Sequence, residues 1–365
     1  MKKLITYCLI LGGIFAACED IYTPEIETQK NVIVADARIV VGSIDNYVKI
    51  YQSVSFNDDN EDYPGIPDAK VTLLDSDGNR FELQEEETGS FPVDIQFNDK
   101  LEYKIKIEYD GDTYESEFES VPKVPAFDTI YGIPGEKVIV PTGSNDVKDF
   151  QKKEGIQLYV DMATEKEMPY YRFTERKILQ YYFLEEVNYM GEVLQLPVYG
   201  WYSYYSKESF NIAAPTEYSS STEIIKHPVS FLEKEAKISF EYYFDGWILI
   251  FYQYGISESV YNYYNDLNSQ LDSEGRLFDP LYVQARNNLK CINNSNKLIL
   301  GNFEISKMKE YRYFVKYVGE NKGYIIKPIP YFYDIPFSGK IHGPPPIGAE
   351  PPDFWEYEKK VYPDE

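Results

Sequence analysis

Acidic side chains at short spacing are the first candidates for chemistry. Asp58, Asp59, Asn60, Glu61 and Asp62 form one run of hard oxygen ligands, and Asp75, Asp77 and Asn79 alternate in another. Such oxygen-rich loops can hold calcium. The second run has Arg80 at its sixth position, where a helix-loop-helix calcium site needs glycine. Solvated turns account for both runs. Structural calcium on Asp58, Asp59, Asp62, Asp75 and Asp77 is the functional alternative, and no other cofactor is expected. Two opposed carboxylates would suffice for glycoside hydrolysis, but nothing among 60 acids selects a pair.

Other nucleophiles and ligands are few. His227 precedes Pro228 and His342 precedes Gly343-Pro344, so both read as loop residues without a partnered nucleophile. Gly132-Ile133-Pro134-Gly135-Glu136-Lys137 lacks the spacing of a phosphate-binding loop and reads as a turn. Serine-hydrolase, zinc-protease, paired-cysteine and dinucleotide-binding signatures are missing. Tyr199, Trp201, Tyr202, Tyr204 and Tyr205 crowd one segment. Half-buried strands explain such a cluster; if Trp201, Tyr202, Tyr204 and Tyr205 are exposed, they would form a protein interface.

The elements that must carry these residues are mainly strands. Tyr103 to Tyr109 alternates apolar and charged residues strictly, the mark of a half-buried strand. Short runs of this kind, with turns at Asp75–Asn79 and Asp110-Gly111-Asp112, predict a sandwich over 31–125. Val121-Pro122-Lys123-Val124-Pro125 closes it. The second part, 126–365, is Tyr-rich and mainly β. Trp247–Tyr252 predicts a central strand, and a stripe of Ile256, Val260, Tyr264, Leu267 and Leu271 predicts one helix over 257–270. A Pro-rich tail follows from Gly343.

Compartment is written at the start. Lys2-Lys3 and an apolar run from Leu4 to Phe15 are too short to span a bilayer and read as an export signal over 1–17. Phe15-Ala16-Ala17-Cys18 resembles the lipobox of bacterial lipoproteins, which makes Cys18 the lipidation site and 18–30 a tether. Acyl chains contribute about 0.8 kcal/mol per buried methylene, so the anchor is membrane-bound without a spanning helix. Cys291 is then the remaining thiol, expected as a buried apolar residue. Removal of Lys2 and Lys3 with the signal takes the net charge two further, from -24 to -26. That charge excludes nucleic acid as a partner and opposes adsorption to anionic headgroups.

Several segments in order carry a family resemblance: Asn31 to Ile39, Ile66 to Asp75 with Asp77-Gly78 and Gly89-Ser90-Phe91, Tyr170-Tyr171-Arg172, Gly275 to Pro280, Leu298 to Phe303, and Pro351 to Trp355. Together they resemble a Bacteroidota lipoprotein family of unknown function, domain-of-unknown-function family four-two-four-nine. The run around Val71, Leu73, Asp75 and Gly78 is similar to immunoglobulin-like and transthyretin-like sandwiches. The resemblance implies a cell-surface, outer-membrane lipoprotein without catalytic residues, associated with a TonB-dependent receptor. Glu19-Asp20 after Cys18 resembles the surface-export signal of such lipoproteins, and Asp128-Thr129-Ile130 the glycosylation triplet, with Thr129 as acceptor. The expected function is a non-enzymatic accessory subunit of an outer-membrane β-barrel complex. The alternatives are a subunit of outer-membrane assembly or secretion machinery, and a glycan-binding module or polysaccharide hydrolase.

Overall fold

A computed structural model describes residues 32–54, 63–139, 151–205, 210–220, 222–235, 243–273 and 285–329. Within them the chain is mostly strand, with one α-helix and a single 3-10 turn at Pro215–Tyr218. The strands are β1 (Ile33–Val41), β2 (Tyr47–Gln52), β3 (Lys70–Asp75), β4 (Arg80–Leu83), β5 (Ser90–Pro92), β6 (Glu102–Tyr109), β7 (Asp112–Ser116) and β8 (Glu119–Ser120). Then come β9 (Thr129–Ile139), β10 (Gln151–Ala163), β11 (Tyr170–Tyr189), β12 (Glu192–Tyr205), β13 (Asn211–Ala213), β14 (Glu223–Glu233) and β15 (Tyr243–Ile256). Helix α1 (Glu258–Ser273) precedes β16 (Leu289–Cys291), β17 (Ile299–Tyr317) and β18 (Tyr324–Pro328).

Three sheets organise these strands. A nine-stranded sheet runs β12-β11-β15-β17-β1-β2-β5, with β13 on β11 and β18 on β17. A six-stranded sheet, β16-β7-β6-β3-β4 with β8 on β6, supplies the other side of the first core. Alternation decides which side chains enter it: Tyr103, Ile105 and Ile107 of β6 point inward against Ala35, Ala37 and Ile39 of β1. A three-stranded sheet, β14-β10-β9, packs on β11 and β15 around Leu158, Phe173, Leu249 and Phe251. β15 is buried continuously from Gly246 to Phe251, because antiparallel neighbours flank it and both its faces are covered.

β17 joins the two cores. Its first half, Ile299 to Lys307, pairs parallel with β1, and its second half pairs antiparallel with β15. Leu289, Ile299, Phe303 and Ile305 thereby enter the first core beside residues from before Val121. The break expected near residue 125 falls between β8 and β9, while β16 and β17 return to the sandwich from the far end of the chain. Gly301 permits the parallel join: it has φ +90, and a Cβ there would lie 2.0 Å from the carbonyl oxygen of Ala35.

Gly132–Lys137 is not a turn. It lies inside β9, each residue in register with β10, as in Gly135↔Gly155 and Ile133↔Gln157. β9 is an edge strand, so Pro134 costs no ladder bond.

Candidate functional site

The inner charges gather where α1 crosses the large sheet. Ile256, Val260 and Tyr264 form the buried stripe of the helix, which brings the Tyr264 hydroxyl to β17. Residues 302, 304 and 306 of β17 face away from the first core, and all three are buried and polar. Glu304 accepts a hydrogen bond from Arg172 Nη2 at 2.7 Å and another from the Tyr264 hydroxyl at 2.6 Å. The Arg172 guanidinium also lies over the Tyr254 ring, 4.1 Å from its centroid. Burial pushes the Glu304 carboxyl up, but Arg172 and Tyr264 outweigh it and hold the group below the usual carboxylate range. Burial and the Glu304 charge together push Tyr264 well up. A carboxylate saturated in this way is a strut and not a base.

A second buried carboxyl, Glu119 on β8, accepts from Asn288 Nδ2 at 2.7 Å and from the Ser259 hydroxyl in the first turn of α1. Burial raises it, against the pull of its hydrogen bonds from Ser257, Ser259 and Asn288. Asn288 in turn brackets the backbone of Phe303, accepting from its N–H at 2.9 Å and donating to its carbonyl at 2.7 Å. The first sandwich, the helix start and β17 are thus tied through one polar knot.

A cleft of roughly 490 Å³ opens beside α1 between β11 and β14. The inward face of β11 reads Phe173, Glu175, Lys177, Leu179, Tyr181, so a charged pair interrupts an apolar run. Glu175 and Lys177 pair at 3.1 Å. Glu175 and Ser230 line the cleft, and Glu175 Oε2 and Ser230 Oγ are buried without a hydrogen-bond partner. Glu217 and Phe210 complete the rim, and Glu217 accepts from the Tyr261 hydroxyl. Such a surface can take a small polar ligand.

His227 is not in a loop. It sits in β14, 4% exposed, placed by a bulge in which Lys226 has φ +57 and its N–H donates to Asp161 at 2.6 Å. The Asn211 amide donates to the Pro228 carbonyl, which leaves its oxygen facing His227 Nε2 at 2.6 Å. Nε2 therefore carries the proton, and Nδ1 accepts from the Tyr218 hydroxyl at 2.5 Å. Burial lowers the imidazole to about 4. Both nitrogens are engaged, one by Asn211 and one by the Tyr218 hydroxyl.

Residues 19–312 match the family described as a domain of unknown function (DUF4249). The chain belongs to this family. The match starts directly after Cys18 and takes in both buried carboxyls, the cleft and most of β17, while β18 lies past its end. Neither a curated protein nor a solved structure matches the chain.

On this DUF4249 body the expected site residues scatter. Asp75 turns its carboxylate on its own hairpin, accepting from the Asn79 N–H at 2.9 Å and from Asn79 Nδ2 at 2.7 Å, which holds it below the usual range. Asp75 is itself buried, while Asp77 in the same turn is exposed. Among the described residues no three His, Cys, Asp or Glu side chains are grouped to hold a metal. Asp58, Asp59, Asp62 and Cys18 lie outside the described residues. Trp201 is 3% exposed and donates its indole N–H to Gln180 at 3.0 Å, so it belongs to the core and not to a surface. Tyr202 on the adjacent position is exposed. Tyr204 and Tyr205 end β12, and their side chains lie outside the described residues. Thr129 is exposed at the start of β9. Cys291 is half-buried against the first core, its thiol 3.2 Å from Asn293 Oδ1. No described helix is long and apolar enough to cross a membrane.

Arg172, Glu304, Glu119 and Ser230 were not anticipated. The available signal was a charge set inside an apolar run, Glu304 between Phe303 and Ile305.

Proposed function

We propose that the chain is a non-enzymatic accessory lipoprotein of the outer-membrane surface in a Bacteroidota cell. Acylated Cys18 would anchor it, and an outer-membrane β-barrel, a TonB-dependent transporter, would be the partner on which it sits. There it would help capture or admit a ligand, or shape the complex. One observation carries this reading: five exposed large apolar side chains sit together on a single projection. Leu184, Tyr189, Met190, Val193 and Leu194 are all exposed around one hairpin tip, while the buried acids Glu304 and Glu119 are each bound by neighbouring side chains. Apolar patches of this kind mark contact surfaces more than reaction centres.

Mild-detergent purification of the lipidated protein tests the proposal. A β-barrel transporter should co-purify in fixed ratio. Recovery of the chain alone would count against it, and recovery with assembly or secretion components would identify that machinery instead.

The cleft favours a second reading, glycan binding or hydrolysis. Glu175 and Glu217 face one space beside Phe210, the pairing of carboxylates and an aromatic that sugar sites use. Calorimetric titration with surface oligosaccharides, compared with Glu175→Gln and Glu217→Gln, decides it; no heat in the parent protein removes the reading.

A further inference from the structure

The projection has a defined docking surface. Among the described residues β11 pairs with β15 from Tyr170↔Ile256 to Tyr182↔Tyr243. From Leu184 to Tyr189 it pairs with β12 and with no third strand among the described residues. The tip is a two-residue turn, Met190-Gly191, with φ +54 and +88. Two-stranded ribbons are at most marginally stable in water by themselves.

Register sorts its side chains. Val187↔Leu194, Tyr189↔Glu192 and Glu185↔Leu196 face one way. This is the face that carries Leu179 and Tyr181 into the second core, where β14-β10-β9 covers them. On the ribbon the same face continues with Tyr189 at 60% and Leu194 at 39% exposure. The opposite face carries Leu184 and Val193, exposed at 41% and 62%, beside Glu186, Asn188 and Gln195, so the ribbon is apolar on both sides of its tip. Charge is of one sign: from Ile178 to Ser206 the chain holds Glu185, Glu186 and Glu192 and no Lys, Arg or His.

We propose that the apolar tip of this ribbon, Tyr189, Met190, Val193 and Leu194, seats in an apolar groove of a partner protein rimmed by lysine and arginine side chains. Charge complementarity selects that occupant. Anionic headgroups repel three glutamates that have no compensating base. A second copy would meet the ribbon with the same acids on a chain of net charge -24. The chain's own tail, 330–365, holds seven acids against Lys340, Lys359 and Lys360. The inference rests on the accessory-subunit reading, whose partner it specifies.

The test is site-specific photo-crosslinking of the full lipidated protein in its native cells. A photoreactive phenylalanine replaces Leu194, or Ile44, which is 93% exposed elsewhere. The expected result is one heteromeric adduct from position 194, at least tenfold above that from 44. Its partner peptide should lie beside Lys or Arg. The triple change Glu185→Lys, Glu186→Lys, Glu192→Lys should abolish the adduct and leave the thermal midpoint unchanged. A lipid adduct, a homodimer, a crosslink to 330–365, or a yield at the level of position 44 would each overturn the inference. If position 194 fails while a barrel protein still co-purifies, the ribbon is wrong and the accessory reading stands. An adduct that meets these criteria on a protein other than a barrel reverses that outcome.

Discussion

Arg172 and Glu304, 132 positions apart, meet at 2.7 Å inside the protein, where the side chain of Glu304 is 1% exposed. One residue comes from β11 and the other from β17, strands that are separated by β15 in the large sheet. The pair spans that intervening strand, with Tyr254 of β15 under the guanidinium. Tyr264 adds the helix to the same carboxylate. The geometry therefore fixes three strands and α1 against one another.

Breaking the pair should cost much more than deleting it. Glu304→Gln leaves a buried guanidinium without a counter-charge, a loss of about 3–5 kcal/mol. Arg172→Met combined with Glu304→Gln removes both charges and should lose less than either single change. Tyr264→Phe leaves one Glu304 oxygen without its donor and should cost about 1–3 kcal/mol. Urea midpoints of the parent, the two single changes, the double variant and Tyr264→Phe check the ordering. A double variant as unstable as the sum of the singles would mean that the residues act independently.

How much of this was legible depends on range. Strict alternation over Tyr103–Tyr109 became β6, and the Ile256–Val260–Tyr264 stripe became α1, because each pattern follows from burial of one local face. The Pro228 beside His227 argued for a loop. It is accommodated in β14, an edge strand, and the bulge at Lys226 turns the histidine inward. The proline and glycines of Gly132–Lys137 misled in the same way, because β9 is the other edge of that sheet. The parallel join of β1 to β17 left no local trace: Ile33 and Ile299 are register partners with most of the chain between them. Arg172 and Glu304 meet only because the fold sets β11, β15 and β17 side by side under α1. The ribbon's exposed tip was hidden because alternation predicts a buried face without saying where the covering sheet ends.

Gly301 makes a second test of the join between the two cores. At φ +90, with a Cβ placed 2.0 Å from the Ala35 carbonyl oxygen, alanine is strained and also collides with backbone. Backbone cannot swing aside as a flexible side chain can, so Gly301→Ala should destabilise by more than about 3 kcal/mol. Gly78→Ala provides the control: φ is +89 there, but nothing lies within 4 Å of the added methyl. Chemical denaturation should separate the two clearly. Equal losses would show that conformation alone, and not the close approach of β1, sets the requirement at Gly301.

His227 should make stability fall with acid. Its folded value is about 4 against 6.5 for the free imidazole. Below 6.5 the unfolded chain takes up a proton that the folded chain refuses. The stabilisation is therefore complete above pH 6.5 and is lost progressively as pH drops toward 4. At about 1.4 kcal/mol per unit the loss approaches 3 kcal/mol. Glu119, raised by burial, works in the opposite direction, so the comparison must be made within one background. His227→Gln can keep a donor toward Asn211 and does not titrate. Its stability should be lower at pH 7.5 and flatter between pH 6.5 and 4. A profile parallel to that of the parent would remove His227 as the acid-sensitive group.

Met190 is the last test, at the ribbon's tip. It is 89% exposed with φ +54, a left-handed conformation that a residue with a Cβ adopts at some cost. Tyr189↔Glu192 closes the hairpin around Met190-Gly191, a turn geometry that favours Asn-Gly. Met190→Asn should therefore stabilise the ribbon by about 0.5–1 kcal/mol. The tip is exposed, so the global midpoint should not move. The gain should appear as local protection: amide exchange across Val187–Leu194 slowed about two- to fivefold. Met190→Pro should instead open the tip, because proline fixes φ near -65°. If Asn leaves exchange unchanged and Pro is tolerated, the tip does not hold this turn, and the apolar docking surface loses its anchor.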